Sequence, residues 1–303
     1  MIKLFTHTDL DGVGCEILGK LVFKENINIE RCGYGNIDSK VEEFLKDANG
    51  YNKVFITDIS VNKKVGDKLN NISDKVVLLD HHKTALWLNE YPYALVQVED
   101  ESVGKMCGTY LFYEYLKKNY KEFNDTLALK LFVDYVRMYD TWEWKERYNN
   151  IIPKRLNDLM YMDGVYEFID KMIYRLENNY PIFDDTDILK LNIEQKNIDS
   201  YVGQKNETLI VNDNLFPGYT VGITFADKYI SELGNKLCEL HPDLDFVVLI
   251  DINSLIVSYR TTKNDIDLSV IAKEYGGGGH PKASGSKFNI SVLNNMLSGI
   301  FIK

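Results

Sequence analysis

Three apolar runs in the first eighty residues each end on side chains able to hold a cation. Ile2-Lys3-Leu4-Phe5 leads into His7-Thr8-Asp9-Leu10-Asp11-Gly12, Lys53-Val54-Phe55-Ile56-Thr57 into Asp58, and Val76-Val77-Leu78-Leu79 into Asp80-His81-His82. Carboxylates mixed with imidazoles, and no cysteine among them, suit Mn²⁺ or Mg²⁺ better than a structural zinc. Each piece alone has a plainer explanation. An Asp after a strand is commonly a turn or helix-cap residue, and a His pair is commonly solvated surface. The joint pattern outweighs those explanations, because the chain has only 5 histidines and three of them (His7, His81, His82) stand beside Asp at the end of an apolar run. A metal site is the expectation.

A second chemistry-bearing stretch is Gly276-Gly277-Gly278-Gly279-His280-Pro281-Lys282-Ala283-Ser284-Gly285. Four consecutive glycines cost backbone entropy, so a core element would avoid them. A glycine-rich turn brings its N–H groups close to an anion, and His280 and Lys282 follow at once, which favours phosphate binding over a plain surface loop. The GxxxxGK[ST] pattern of a P-loop is absent.

Several elements must position these groups. Val13, Ile17, Leu18, Leu21 and Val22 recur at helical spacing after the first strand, and Ile29 to Tyr34 reads as a second strand. Ser39 and Glu42 have the spacing of a capping box opening the next helix. Residues 61–71 read as a further helix between the Asp58 and Asp80 strands. Alternation of this kind argues an α/β fold with a doubly wound, mainly parallel sheet and right-handed crossovers. From about Gly104 to Tyr180 the pattern is mostly helical, with Leu127, Leu131, Tyr135 and Met138 forming an amphipathic stripe. Past an Asp-, Lys-, Asn- and Gln-rich stretch come new strands near 208–211, 219–224, 246–251 and 255–259, with a helix around 230–240. The expected organisation is a first domain over residues 1–185, a linker helix over 186–205, and a second, smaller α/β domain over 206–303.

Composition limits the partners. The 303 residues allow a large core, and 45% hydrophobic with 26% charged residues is ordinary for a soluble globular chain. The chain turns polar by Thr6-His7, and no run approaches eighteen apolar residues, so neither a signal peptide nor a membrane span is expected. Cys15, Cys32, Cys107 and Cys238 are scattered without CxxC spacing and read as reduced thiols of a cytoplasmic protein. The net charge is −10 and no basic stripe is visible, whereas tracking long nucleic acid requires a broad Lys/Arg surface. A small phosphorylated substrate fits better. Clustered carboxylates are also tolerable mainly when a cation sits among them.

HTDLDG at 7–12, Asp58, DHH at 80–82, Asp140 before Thr-Trp, and GGGGHPKASG at 276–285 together resemble the DHH/DHHA1 phosphoesterase superfamily. The short first motif and Tyr139-Asp140-Thr141-Trp142-Glu143-Trp144 are most similar to its small bacterial nanoRNases, the oligoribonucleases. The resemblance implies two domains, a catalytic cleft between them and two Mn²⁺ ions, with Mg²⁺ or Co²⁺ as substitutes. It implies that His7, Asp9 and Asp58 hold one ion and Asp11, Asp58, His81 and Asp140 the other, Asp58 bridging. Asp134 lies six residues from Asp140 on the same helical stretch, and Asp140 is preferred for its Thr-Trp context. His82 would face the scissile phosphate, with Asp11 and Asp58 serving the chemistry. Arg260, Gly277, Gly278, His280 and Lys282 would bind the substrate's other phosphate or terminal nucleotide. Two-metal sites stabilise both the attacking and the leaving oxygen of in-line displacement at phosphorus, and His82, Arg260 and His280 offer cationic donors for the developing charge.

The activity implied is manganese-dependent hydrolysis of short oligonucleotides to nucleoside 5′-monophosphates. Cyclic or linear dinucleotide signals and phosphoadenosine phosphate are alternative substrates. An inorganic pyrophosphatase fits less well, since that branch lacks the GGGH element. A non-catalytic nucleotide-binding module is disfavoured because no ligand position is lost. The oligomeric state stays open between monomer and homodimer.

Overall fold

The computed structural model describes residues 1–121, 123–292 and 298. Two compact units emerge, residues 1–191 and 192–303. In the first, β1 (Ile2–Thr6), β2 (Ile27–Arg31), β3 (Lys53–Thr57), β4 (Val76–Asp80) and β5 (Ala94–Val96) form a sheet in the order β2-β1-β3-β4-β5. Every pairing in it is parallel. A short ladder joins β6 (Glu99–Asp100) to β7 (Gly104–Lys105).

The central strands read as unbroken apolar runs because both of their faces are covered. Ile2, Leu4, Phe55, Val77 and Leu79 point to one core, shared with α1 (Leu10–Phe23), α4 (Gly108–Asn119), α5 (Leu127–Asp140), α7 (Ile152–Asp163) and α8 (Val165–Glu177). Phe5, Val54, Ile56, Val76 and Leu78 point to the other, with α2 (Ile37–Phe44) and α3 (Lys63–Asn70). A short α6 (Glu143–Glu146) follows α5. The strand order turns back on itself beside β1. In open α/β sheets, ligands bind outside the carboxyl ends of the strands at such a switch point.

Three local expectations are corrected. The second strand stops at Arg31, four residues after it begins. Cys32 N–H still bonds Thr6 O (2.8 Å), but the chain then turns, with Asn36 and Ile37 amides on Gly33 O. That turn starts α2 at Ile37, so Ser39 lies inside the helix and its hydroxyl donates to Asn36 O (2.9 Å) instead of capping. The buried stripe of α5 is Ala128, Leu129, Phe132, Val133 and Val136, while Leu127 is 67% and Leu131 39% exposed. Both stripes satisfy helical spacing; packing against α1, α4, α7 and α8 selects the second.

α9 (Asp185–Glu207) contains the expected linker, 186–205, and the division into units falls within it. The second unit holds β8 (Ile210–Phe216), β9 (Tyr219–Phe225), β10 (Phe246–Asp251), β11 (Ile256–Arg260), β12 (Gly278–His280) and β13 (Ala283–Lys287), in the order β12-β13-β11-β10-β9-β8. Only β9–β10 is parallel. α10 (Ile230–Leu240) covers one face through Leu233 and Leu237, and α11 (Leu268–Glu274) the other through Leu268, Ile271 and Ala272. All four cysteines are buried free thiols. Among the described residues no helix is long and apolar enough to cross a membrane.

Candidate metal centre

At the carboxyl ends of β1, β3 and β4, the residues singled out from the first unit's sequence meet. His7, Asp9 and Asp58 each offer a donor atom within 4.8 Å of the others, and so do Asp11, His81 and Asp140. Asp58 joins the two groups. Its Oδ1 lies 3.2 Å from His81 Nε2 and its Oδ2 3.9 Å from His7 Nδ1. His81 Nε2 in turn stands 3.7 Å from Asp11 Oδ2 and 3.5 Å from Asp140 Oδ2. Asp134, two turns earlier on α5, lies outside both groups.

The local fold delivers each ligand candidate by a different device. Asp9 is the N-cap of α1, and one of its oxygens accepts from Gly12 N–H (3.0 Å) while the other meets His7 Nδ1 (2.8 Å). The cap reading and the site reading therefore hold together. Asp11 sits in the first turn of α1 and accepts from Gly108 N–H (2.6 Å) and Thr109 N–H (2.7 Å), so the amino end of α4 clamps it. Asp58 follows β3 with φ +57, a left-handed conformation that Asp tolerates better than most residues. A Cβ at Gly108 would lie 2.5 Å from Asp58 Cβ, so only glycine lets α4 approach this close. Thr57 and Thr6 hydroxyls, hydrogen-bonded at 3.0 Å, tie the ends of β3 and β1 together.

His82 falls in a third set of close donor atoms, with Asp58, Asp80 and His81, but both of its ring nitrogens already have partners. Its Nδ1 bonds Asp80 Oδ1 (2.7 Å), Asp80 also accepts from Ser60 Oγ, and Nε2 faces the Tyr34 hydroxyl at 3.0 Å. The Tyr34 ring also lies against His7, centroids 5.0 Å apart.

The electrostatics call for a cation. Burial, then the charges of Asp11, Asp9 and Asp140, push the Asp58 carboxyl well above the usual range. Burial, then Asp11, Asp9 and Asp80, do the same to Asp140. Asp58 Oδ2 and Asp140 Oδ2 are buried without a hydrogen-bond partner. Buried carboxylate oxygens with no donor are costly unless a charge satisfies them. Burial lowers the proton affinity of His81, which favours the neutral imidazole that metals bind. The hydrogen bond to Asp9 raises His7, and the one to Asp80 raises His82. For Asp80 burial acts upward, but the hydrogen bond and charge of His82, with the Ser60 hydrogen bond, outweigh it and hold the carboxyl low. Burial and the surrounding carboxylates push the Tyr34 hydroxyl up to about 12. Oxygen and imidazole donors, two of the oxygens unsatisfied, fit a hard-to-borderline divalent cation.

The second unit holds the other residues singled out. In the ladders Arg260 pairs with Ala283, and Ala283 with His280, so Arg260 and His280 occupy one row on one face, two strands apart. Arg260 Nη1 donates to Tyr259 O (2.8 Å), while His280 is exposed. The glycine run is part of the β12–β13 hairpin and not an open turn: a Cβ at Gly277 would lie 2.0 Å from Gly285 O, and Gly278 pairs with Gly285. Lys282 Nζ is bonded to the Lys263 carbonyl.

Tyr34, Ser60, Gly108 and Thr109 were not found from the sequence. The first two carry no motif signal. Cys107-Gly108-Thr109, which opens α4, had only the weak signature of a helix start.

Comparison with known proteins gives the family. Residues 1–162 match the DHH family, N-terminal domain. The chain is 40% identical over 308 residues to "Oligoribonuclease NrnB" of Bacillus subtilis (strain 168), covering 99% of this chain and 76% of that protein. It is 25% identical over 353 residues to a "3′,5′-cyclic-nucleotide phosphodiesterase" of Helicobacter pylori, covering 98% of this chain and 97% of the relative. Among solved structures, the "pGpG-specific phosphodiesterase" PggH of Vibrio cholerae superposes with a TM-score of 0.55 at 13% identity, over 99% of this chain and 97% of its own, and shares the fold.

Proposed function

The chain belongs to the DHH family, and on that premise we propose that it is a manganese-dependent phosphodiesterase that trims short oligonucleotides to nucleoside 5′-monophosphates. Membership makes it a phosphodiester hydrolase; the metal, the substrate length and the products go beyond that. The observation that carries the reading is the joined pair of donor groups through Asp58, with two buried carboxylate oxygens left unsatisfied. Short oligonucleotides are favoured by the 40% identity to an oligoribonuclease and by the net charge of −10, which offers long strands few phosphate contacts.

In this reading His7, Asp9 and Asp58 would hold one ion, and Asp11, Asp58, His81 and Asp140 the other. Bound there, two divalent ions supply Lewis acidity and a water acidic enough to attack phosphorus near neutral pH. The chain's own residues do the rest. Asp58 belongs to one group and lies 3.2 Å from His81 of the other, so it would serve both ions, and the amides of Gly108 and Thr109 keep Asp11 in place. Asp80 holds His82 by Nδ1 and favours its protonated form, so that Nε2–H would present a proton to a phosphoryl oxygen as charge develops there. Arg260 and His280, with Gly278, would bind phosphate or a terminal nucleotide; Gly277 N–H is already bonded to Ala272 O (2.8 Å) and Lys282 Nζ to the Lys263 carbonyl, so these two would join only by giving those bonds up.

The deciding experiment incubates the purified protein and Mn²⁺ with RNA 2-mers, 5-mers and 24-mers and with 3′,5′-cyclic nucleotides. We expect kcat/KM on the 2-mer and 5-mer to exceed that on the 24-mer by at least about tenfold. Equal values would make a long-polymer nuclease the better description. Preference for cyclic nucleotides would transfer the assignment to the activity named for the 25%-identical relative.

The choice between the two α5 carboxylates has its own test. Asp140 stands 3.5 Å from His81, whereas Asp134 is outside the cluster. Asp140→Ala is expected to lose more than about 10²-fold in kcat, comparable to removing a key group from an active site, and Asp134→Ala less than about threefold. An inactive Asp134→Ala that still folds would reassign the fourth carboxylate.

A further inference from the structure

Tyr34 has no part in either donor group, yet it is held where the chemistry takes place. The residue is 62% exposed, and its hydroxyl sits 3.0 Å from His82 Nε2. Its ring stands edge-on to the His82 ring, centroids 5.9 Å apart, and leans on His7. The turn that carries it is built tightly. Cys32 N–H bonds Thr6 O, Gly33 N–H bonds the Asn36 side chain (2.9 Å), and Gly33 O receives the Asn36 and Ile37 amides. An exposed aromatic residue contributes little to a core, so packing does not explain this placement.

We propose that Tyr34 is a catalytic residue that donates its phenolic O–H to the same phosphoryl oxygen as His82 Nε2–H. With Nδ1 committed to Asp80, His82 has one ring nitrogen left for substrate. That nitrogen and the Tyr34 oxygen lie 3.0 Å apart, close enough for one phosphoryl oxygen to accept from both. Without substrate, the two groups satisfy each other. An anion arriving between them replaces one hydrogen bond with two, both aimed where negative charge grows. The proposal rests on the phosphodiesterase reading above for its substrate, and on geometry within the first unit for the residue.

The test uses the full-length, Mn²⁺-loaded protein and two substrates, an RNA dinucleotide and bis(p-nitrophenyl) phosphate. Tyr34→Phe keeps the ring against His7 and removes only the hydroxyl. The expected result is a fall in kcat of about 10- to 100-fold on both substrates, KM within about twofold, and unchanged Mn²⁺ affinity by calorimetry. Tyr34→Phe combined with His82→Ala should lose little beyond His82→Ala alone, because two donors to one oxygen act as a unit. Tyr34→Ala, which also removes the ring, should be no more active than Tyr34→Phe. Wild-type kcat in Tyr34→Phe, or full additivity with His82→Ala, overturns the proposal. If the wild type cleaves bis(p-nitrophenyl) phosphate but not the dinucleotide, the oligonucleotide reading fails and Tyr34 is still judged on bis(p-nitrophenyl) phosphate. Inactivity on both overturns the two together.

Discussion

Asp58→Asn is expected to abolish turnover, by more than the roughly 10²- to 10³-fold that losing one hydrogen-bond donor costs an active site. Asp58 is the residue that reaches both donor groups, so its loss weakens two ion sites at once. Calorimetric titration with Mn²⁺ should show a reduced stoichiometry, which separates this variant from one that merely slows the chemistry. The same substitution has an opposite effect on the metal-free protein. Folding raises the Asp58 pKa well above its ordinary 3.8. The folded state therefore holds a proton that the unfolded state has given up. The stability this contributes is full below about pH 4 and is lost as pH rises through the higher folded value. Asn carries no such charge. In EDTA, the Tm of the wild type should drop relative to that of Asp58→Asn as pH rises above the ordinary carboxylate range. Asp140 is shifted in the same direction and remains in the variant, so the difference between the curves reports Asp58 together with its charge coupling to Asp140. Parallel curves, or a variant that binds two ions and turns over normally, would remove Asp58 from the centre of the site.

Exhaustive chelation should bring activity to background, with Mn²⁺ restoring most of it and Mg²⁺ less. The donor set is oxygen plus two imidazoles, which a borderline ion satisfies better than a hard one. The crowded carboxyls also make a binding signal visible without substrate. At a hundredfold excess over its dissociation constant, an ion that binds only the folded state adds about 2.7 kcal/mol of stability. The melting transition of the chelated protein should rise on adding Mn²⁺, and Asp58→Asn should blunt that rise. Undiminished turnover after EDTA treatment would exclude the proposed chemistry, and turnover with Mg²⁺ matching that with Mn²⁺ would exclude the preference.

The ligand candidates were legible in the sequence for a local reason. A strand buried on both faces must be apolar along its length, so the first polar groups past its carboxyl end stand out, and in this fold that end is where ligands bind. His7, Asp9, Asp11, Asp58 and His81 could be marked by their place after three such runs, and resemblance added Asp140. The alternation of strands and helices identified the parallel sheet in the same way, since helical and strand periodicities are written within ten or fifteen residues.

Other features depended on pairings no local window contains. Asp11 is clamped by amides 97 and 98 positions away, and Gly108 is needed only because α4 closes on Asp58. Tyr34 reaches His82 across 48 residues. The buried stripe of α5 was chosen by helices from elsewhere in the chain, since two stripes of equal periodicity were available. The glycine run reads as a loose turn, and becomes a hairpin strand once β13 lies beside it, with no room for a side chain at Gly277. Which residues can bind a cation is a matter of side-chain type and of the strand just before them. What holds those residues at a fixed spacing, and what faces them, arises only when distant segments pack.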